Sequence, residues 1–424
     1  MKSDNVVALN RVEPRPGARR EPVGVLDIGT TKMCCLIARP RAGAFELLGA
    51  SHQLAEGLRA GEIVDVEAVE ASIVAVVHEA EQQAGQTLRE VVLGVAAGRP
   101  HSRLAPIELE IGHRPVTAAD LGRALSHAQA EARTGGVEVL HALPIEITLD
   151  GGQPLRDPCG MIGGRLRVHV HLICAAAAPI HNLVAAVERC HLEVAGVVAA
   201  PYASGLASLS DDEASQGALV LDLGGGVTGV ARFAEGRVQE IHAVPLGGQH
   251  VTLDLAFGLS TGRAQAERLK SLYGSVLSRA GDSRQQLEVP GIGDPGQPPV
   301  QMVSRARLTE IIRPRVEETL QLVRARIAGS PVVGRRLVLT GGASQIEGIV
   351  ELAEELFDMP ARIGRARPFV GAPGLQDLTA ATTAAGLLTW SVRDEGGLTF
   401  GSRRWNPAAT RPLAKIGQWL RENF

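Results

Sequence analysis

The sequence predicts an α/β protein of several parts, built around one strand–turn–strand unit that occurs twice. Three observations lead there. At 424 residues the chain exceeds what a single hydrophobic core usually serves. Apolar runs of strand length alternate with stretches of helical periodicity. The pattern Asp-x-Gly followed by Thr closes an apolar strand in "DIGTTK" (27–32) and again in "DLGGGVT" (222–228). Composition is ordinary for a globular protein, at 45% apolar and 21% charged. The net charge of −3 gives no pull toward a polyanion, so no nucleic-acid partner is expected. Cys34, Cys35, Cys159, Cys174 and Cys190 form no C-x-x-C pair and fit inert, buried thiols in a reducing cytosol. The start of the chain has no signal-peptide core, and no apolar run approaches about 18 residues, so no membrane-spanning helix is expected.

Residues 1–21, rich in Pro, Gly and Arg, read as a disordered arm. "VGVLDIG" (23–29) is a short strand ending on Asp and Gly, and "MCCLIAR" is a second apolar run. Residues 62–84 space apolar side chains at helical intervals, and 89–96 is a buried strand. Residues 117–132 form a helix with Thr117 as N-cap and Asp120 at the capping-box position. "VEVLHALPIEITLDGG" and "RLRVHVHLICA" are strands flanking a Gly/Pro-rich turn, and His169 and His171 on the second read as structural. A helix over 179–190 and a strand over 192–198 follow. The second half restarts the pattern: strand, Gly-rich turn and strand over 217–233, then a helix over 261–274. Residues 281–304 read as a long loop or irregular hairpin. Residues 304–328 form a long amphipathic helix, or two divided at Pro314. "RRLVLTGGASQIEGIVELAEELF" is strand, Gly-Gly turn, helix.

The turns point to anion binding. Glycine lets backbone N–H groups surround a phosphate, and Thr hydroxyls add donors. The strand-end aspartates cannot bind phosphate, but they suit Mg²⁺ held through its waters. One such turn alone is ordinary hairpin geometry. Two copies, with "LTGGASQIEG" (339–348) later in the chain, favour a duplicated unit clasping one phosphate chain from both sides.

This set resembles the actin/Hsp70/hexokinase superfamily, in which such hairpins are phosphate loops and the later Gly-Gly turn is the adenosine loop. Residues 22–424 further resemble the FtsA family of bacterial cell-division proteins. The resemblance lies in "GLRAGEIVD", "VLHALPIEITLDG", "DPCGMIGGRLRVHVHLI", "VERCHLEV", "QAERLKSLYG", "EIIRPRVEE", "LTGGASQIEG", "AAGLL" and "WLRENF", in matching order and spacing. It implies an actin-like ATPase fold, with two lobes around a nucleotide cleft and an FtsA-type inserted subdomain. The implied parts are subdomain 1A (22–97 and 177–215, closed by about 370–392) and the inserted subdomain 1C (98–176). Subdomain 2A (216–246 and 330–369), subdomain 2B (247–329), a linker (393–411) and a membrane-targeting helix (412–424) complete them.

ATP and Mg²⁺ are the implied cofactors. Asp27 and Asp222 would face the metal through water. Gly29, Thr30, Thr31 and Lys32, with Gly224, Gly225, Gly226, Val227 and Thr228, would wrap the phosphates. Gly341, Gly342 and Ala343 would flank the adenosine. Glu267 and Lys270 would reach the ribose or base, although by themselves they read as a solvated i,i+3 pair. One departure is Gly229, which stands where the family often carries an acid.

The resemblance also implies a role: a polymer on the inner face of the cytoplasmic membrane at the division site. Subdomain 2B would bind the C-terminal peptide of the tubulin-like FtsZ, and the inserted subdomain would meet later divisome proteins. Arg305, Arg307, Glu310 and Arg313 are the candidate contacts, against the alternative of a solvated charged face. Hydrolysis needs a water-positioning group. "APYASGLASLS" (200–210) offers only Tyr and Ser, so at most slow turnover is expected. The competing readings are an ATPase of chaperone type, a small-molecule kinase, or a passive scaffold with degenerate loops. A chaperone needs a substrate domain after the adenosine loop, and a kinase needs an acid in the cleft. The intact Asp, Gly and Thr positions oppose the scaffold.

In "PLAKIGQWLRENF" (412–424), Leu413, Ile416, Leu420 and Phe424 share one helical face with Trp419 at its edge. At ~20 Å such a helix is too short for a ~30 Å hydrocarbon core, but it suits an in-plane position in a lipid surface. The alternative is a terminal helix docked on the protein's own core.

Overall fold

The computed structural model describes residues 21–41, 44–133, 135–293, 299–329, 334–366, 379 and 381–392. Apolar runs without alternation become strands buried on both faces, as in a sheet covered by helices. In chain order these are β1 (Val23–Ile28) and β2 (Lys32–Arg41), whereas the edge strand β3 (Ala44–Leu54) alternates buried and half-buried residues. The two-residue strands β4 (Leu58–Arg59) and β5 (Glu62–Ile63), helix α1 (Val66–Ala84) and β6 (Glu90–Val95) follow. Helix α1 starts at Val66 because the Asp65 side chain accepts from the Ala68 N–H, and Gly85 ends it at φ 64°. An insertion supplies β7 (His101–Pro115), α2 (Ala118–Ala132), β8 (Val137–Leu149) and β9 (Ile162–Ala176). The first lobe then resumes with α3 (Ala177–Arg189) and β10 (Glu193–Ala199), and α4 (Ala200–Ser208) leads out of it.

The second lobe opens with α5 (Asp211–Gln216), β11 (Ala218–Leu223), β12 (Thr228–Ala234) and β13 (Arg237–Val244). It continues through α6 (Gly248–Gly258), α7 (Arg263–Tyr273), β14 (Gln286–Pro290), β15 (Val300–Ser304) and α8 (Arg305–Ile327). Strand β16 (Leu337–Thr340), a 3-10 turn (Gly342–Gln345), α9 (Ile349–Phe357) and β17 (Ala361–Ile363) complete it, and α10 (Thr382–Val392) returns to pack on β1, β2 and β6 of the first sheet. The two main sheets repeat one plan. The first has the order β10-β6-β1-β2-β3, and the second β17-β16-β11-β12-β13. In each, the Asp-bearing strand is central, antiparallel to the next strand and parallel to the one on its other side. The duplication expected from the two Asp-x-Gly turns is therefore a duplication of whole sheets.

The insertion is a three-stranded antiparallel sheet of order β7-β9-β8 covered by α2. Its core gathers Ile107, Leu109, Leu121, Leu125, Leu166 and Val168. No strand is expected above for 101–115, yet Ile107, Leu109 and Ile111 alternate with exposed Glu108 and Glu110 there, which was the available signal. Asp120 reaches back to the Thr117 N–H (2.8 Å), the expected capping contact, and also pairs with Arg114 and Arg123. Arg114 first, aided by Thr117 and Arg123, holds the Asp120 carboxyl well below the usual range against its burial.

The polar alternation of β9 stops where the strand enters the body of the protein. His169 is half-exposed, whereas His171 is fully buried. The Nδ1 of His171 lies 3.2 Å from the Val238 carbonyl, which requires Nδ1 to carry the proton. Nε2 therefore accepts from Ser102 Oγ (2.6 Å), which itself accepts from the Ile241 N–H (2.6 Å). This chain begins and ends on β13, so the insertion is tied to the edge strand of the second sheet. His171 is structural, as expected, and His169 lies beside Glu146 (3.8 Å).

Two open readings are decided and one expectation needs correction. Of the one helix or the two divided at Pro314, the structure has the one, and α8 runs unbroken through the proline. The buried stripe of Leu308, Ile312, Val316, Leu320 and Val323 spans both sides of the proline and offsets the missing amide bond. Residues 281–304 contain a regular hairpin, with β14 and β15 paired from Gln286↔Ser304 to Pro290↔Val300. Cys159 is exposed, although Cys34, Cys35 and Cys174 are buried as expected. Residues 1–20 of the arm (1–21), the linker (393–411) and the tail (412–424) with Leu413, Ile416, Trp419, Leu420 and Phe424 lie outside the described residues.

Helices α4 and α10 pack on each other at very short range. A Cβ at Gly386 would overlap the Ala203 carbonyl oxygen, a backbone atom that cannot step aside. Gly386→Ala is expected to lower stability by about 2–3 kcal/mol, read from a denaturant midpoint.

Candidate functional site

The two Gly turns face each other between the sheets. Each is closed by its own backbone, through Gly29 N–H to the Lys32 carbonyl (3.0 Å) and Gly224 N–H to the Val227 carbonyl (3.1 Å). A Cβ at Gly226 would lie 2.5 Å from Thr30 Oγ1, and one at Gly225 would overlap Thr31 Oγ1. Only glycine permits this approach. The first turn is braced by Ala55 N–H to the Thr31 carbonyl (3.1 Å) and Gly61 N–H to Thr30 Oγ1 (2.9 Å).

The second turn is braced by the start of α6. Gly248 N–H donates to the Gly224 carbonyl (2.9 Å) and Gln249 N–H to the Gly225 carbonyl (2.7 Å). Because a trans peptide is planar, pinning those carbonyls points the N–H groups of Gly225 and Gly226 the opposite way. The amides of Thr30, Thr31, Gly225, Gly226 and Val227 have no main-chain partner among the described residues. The result is a cradle of preset donors suited to an anion.

Asp27 and Asp222 end their strands at the base of this cradle. Burial pushes the Asp27 carboxyl up to about 7, reinforced by the Asp222 charge and opposed by Lys32. Burial also raises Asp222, against donation from Ser204 and Thr383. Two partly buried, mutually repelling carboxylates are a natural place for a divalent cation. No cluster of three or more metal-binding side chains occurs among the described residues. That donor set fits Mg²⁺, which keeps most of its waters and needs few carboxylates.

The third turn closes one side. Gly341 has φ 86°, and a Cβ there would come within 2.6 Å of Asp222 Oδ1. Lys270 and Glu267 are not a simple solvated pair. Lys270 Nζ donates to Glu267 (2.8 Å), Thr252 Oγ1 (2.9 Å) and the Gly248 carbonyl (3.1 Å). Burial would raise Glu267, but Lys270 and Thr252 hold it below its ordinary value. Gly248 abuts Ala343, since a Cβ on it would sit 3.1 Å from the Ala343 Cβ. The structure thus joins the α7 pair to the turn at Gly342 and Ala343.

Other candidates are placed differently. Thr228 is buried with its hydroxyl donating to the Leu246 carbonyl (2.8 Å), away from the turn amides. A Cβ at Gly229 would lie 2.9 Å from the Pro201 Cβ, so α4 leaves no room for the acid the family often has. Tyr202 of α4 is buried against His141 (5.2 Å between rings) and Phe233 (6.2 Å). Ser204 donates to Asp222 (2.7 Å), a role its sequence context did not reveal. On α8, Arg305 is turned inward to the Tyr273 carbonyl, Asp282 and Glu347. Arg307 and Glu310 form an exposed pair (2.9 Å), and Arg313 is partly covered beside Glu317 (2.6 Å).

Comparison with known proteins adds a second line. The family model described as Cell division protein FtsA matches residues 219–386, and that of the SHS2 domain inserted in FTSA matches 98–174. The chain is 41% identical to the cell division protein FtsA of Rhizobium meliloti, over 98% of each chain. Among solved structures it is similar to the PilM-PilN type IV pilus biogenesis complex (TM-score 0.61, 18% identity, 89% of this chain and 100% of that one). It is also similar to MreB5 of Spiroplasma citri bound to ADP (TM-score 0.54, 13% identity, 87% of this chain and 96% of that one). At such identities these likenesses concern the fold.

Asp27 carries a stability cost with a definite sign. With its folded value raised from 3.8 to about 7, Asp27 costs the ligand-free protein stability as pH climbs through that interval. Asp27→Asn escapes the loss. It is expected to be more stable than wild type by about 2 kcal/mol at pH 8 and nearly equal to it at pH 4. Urea unfolding of the two ligand-free chains at both pH values checks this.

Proposed function

The chain belongs to the FtsA family of cell-division proteins and has an actin-like fold, and from this premise we propose that it binds Mg-ATP between its lobes and polymerises at the membrane during division. The observation that carries the nucleotide part is the pair of opposed glycine turns above two partly buried carboxylates. The amides of Thr30, Thr31, Gly225 and Gly226 would receive phosphate oxygens, and Lys32 adds positive charge beside Asp27. Asp27 and Asp222 would hold Mg²⁺ through its waters, and Gly341, Gly342, Ala343, Glu267 and Lys270 would border the nucleoside. The bound metal would neutralise phosphate charge and relieve the repulsion between the two aspartates.

Fast hydrolysis is not part of this reading. The α4 side chains nearest the second turn are spent, Ser204 on Asp222 and Tyr202 in an aromatic contact. A nucleotide bridging both turns acts instead as a structural link that sets how the lobes close, and closed lobes favour polymerisation.

Membrane attachment is assigned to the tail at 412–424, whose sequence spaces Leu413, Ile416, Leu420 and Phe424 on one side of a helical wheel with Trp419 at its edge. One short amphipathic helix binds weakly, so lining up copies in a polymer would supply the avidity that holds the protein on the inner face of the membrane. Subdomain 2B (247–329) is proposed as the seat of the FtsZ C-terminal peptide. The exposed Arg307 and Glu310, with Arg313 at their side, are its contacts, and the inward Arg305 shapes that surface from beneath. The inserted subdomain at 98–176 would meet later division proteins.

Co-sedimentation with anionic lipid vesicles tests the proposal. The full chain is expected to pellet with vesicles, more strongly with ATP than with ADP, and a chain ending at residue 410 to stay in the supernatant. Equal pelleting of the two chains would remove the membrane role, and rapid phosphate release would favour an enzyme instead.

A further inference from the structure

Helix α4 carries the chain from β10 of the first sheet towards the second, and α10 follows β17 and packs back on β1, β2 and β6. The two helices meet where Gly386 abuts Ala203. Beside this contact, Ser204 of α4 and Thr383 of α10 lie with their hydroxyl oxygens 2.9 Å apart. Both also reach the same atom, Asp222 Oδ2, at 2.7 Å from Ser204 and 3.2 Å from Thr383. Ser204 is fully buried, Thr383 is 7% exposed and Asp222 is partly buried.

A proton count gives this triangle direction. Two hydroxyls supply two protons, and the ionised carboxylate supplies none. Three close contacts therefore share two donors. The shorter contact fixes the Ser204 proton on Asp222, and the Thr383 proton either joins it there or stays with Ser204. When both protons point at Oδ2, the carboxylate plane is fixed from two helices at once. The other oxygen, Oδ1, is the one beside Gly341, on the side of the third turn.

We propose that Ser204 and Thr383 are positioning residues for the metal site. From the two helices that join the lobes they clamp Asp222 Oδ2, so that Oδ1 is presented to the waters of Mg²⁺ bound with nucleotide. The proposal rests on the nucleotide-and-metal reading above. It also ties metal occupancy to the lobes themselves, because a cation drawing on Oδ1 acts through Oδ2 on both crossing helices. A hydroxyl pair that merely satisfied a buried carboxylate would affect stability and leave the metal dependence of binding unchanged.

The test is equilibrium binding of ATP to the full chain, with excess Mg²⁺ and with EDTA. Wild type, Ser204→Ala, Thr383→Val and Thr383→Ser are compared, with thermal melts confirming folding. Wild type is expected to bind ATP more tightly with Mg²⁺. Ser204→Ala and Thr383→Val are expected to lose about tenfold of that Mg²⁺ enhancement, the usual cost of removing an outer-sphere partner, with affinity in EDTA within about twofold of wild type. Thr383→Ser, which keeps the hydroxyl, should retain the enhancement. The Thr383 variants carry the test if Ser204→Ala does not fold. Variants that keep the full enhancement, or lose affinity equally with Mg²⁺ and EDTA, would overturn the positioning role. A wild type that binds no ATP under either condition would instead overturn the nucleotide reading itself.

Discussion

The structure depends on one close crossing, that of α4 on α10. These helices link two sheets of identical strand order, and at their contact Gly386 meets backbone with no side chain between. That proximity brings residues 204 and 383 to Asp222, at the end of the central strand of the second sheet. A wider crossing would leave the aspartate without its donors and the second turn without a fixed base. Small residues at this joint are a consequence of geometry before they are a matter of function.

Above the joint the protein holds two partly buried carboxylates near one another, an arrangement that opposes folding. Burial is the main cause of the raised Asp27 value, and the Asp222 charge adds to it. Such cost is characteristic of sites that await a counter-charge. The glycine turns show the same economy of purpose. The carbonyls of Gly224 and Gly225 are held by α6 and that of Thr31 by Ala55, which leaves the neighbouring N–H groups turned towards a ligand.

The inserted unit is attached with comparable care. Its β7 and β9 contribute Ser102 and His171 to a relay that starts and ends on the backbone of β13, and Arg237 donates to the Pro144 carbonyl (3.2 Å) on β8. Burial lowers His171 to about 4, so the imidazole stays neutral and can serve as donor and acceptor at once. The insertion is therefore joined to the second sheet as well as to the first, through which its chain enters and leaves.

Elements set by local pattern were legible in the sequence. The strands bearing Asp27 and Asp222, the capped α2 and the three glycine turns could all be read, because a period of two or 3.6 residues and a turn residue act within a few positions. The repeat of Asp-x-Gly foretold the duplicated sheets for the same reason. What remained hidden depends on residues far apart in the chain. That Thr228 turns to Leu246, that Lys270 reaches Gly248 and Thr252, that Arg305 faces inward to Asp282 and Glu347, and that α8 passes Pro314 unbroken are outcomes of packing. By itself the sequence determined the α/β class, the duplication and the chemistry of the turns. Only the tertiary structure decided which hydroxyls and charges meet there, because those partners are chosen by the approach of distant segments and leave no periodic trace along the chain.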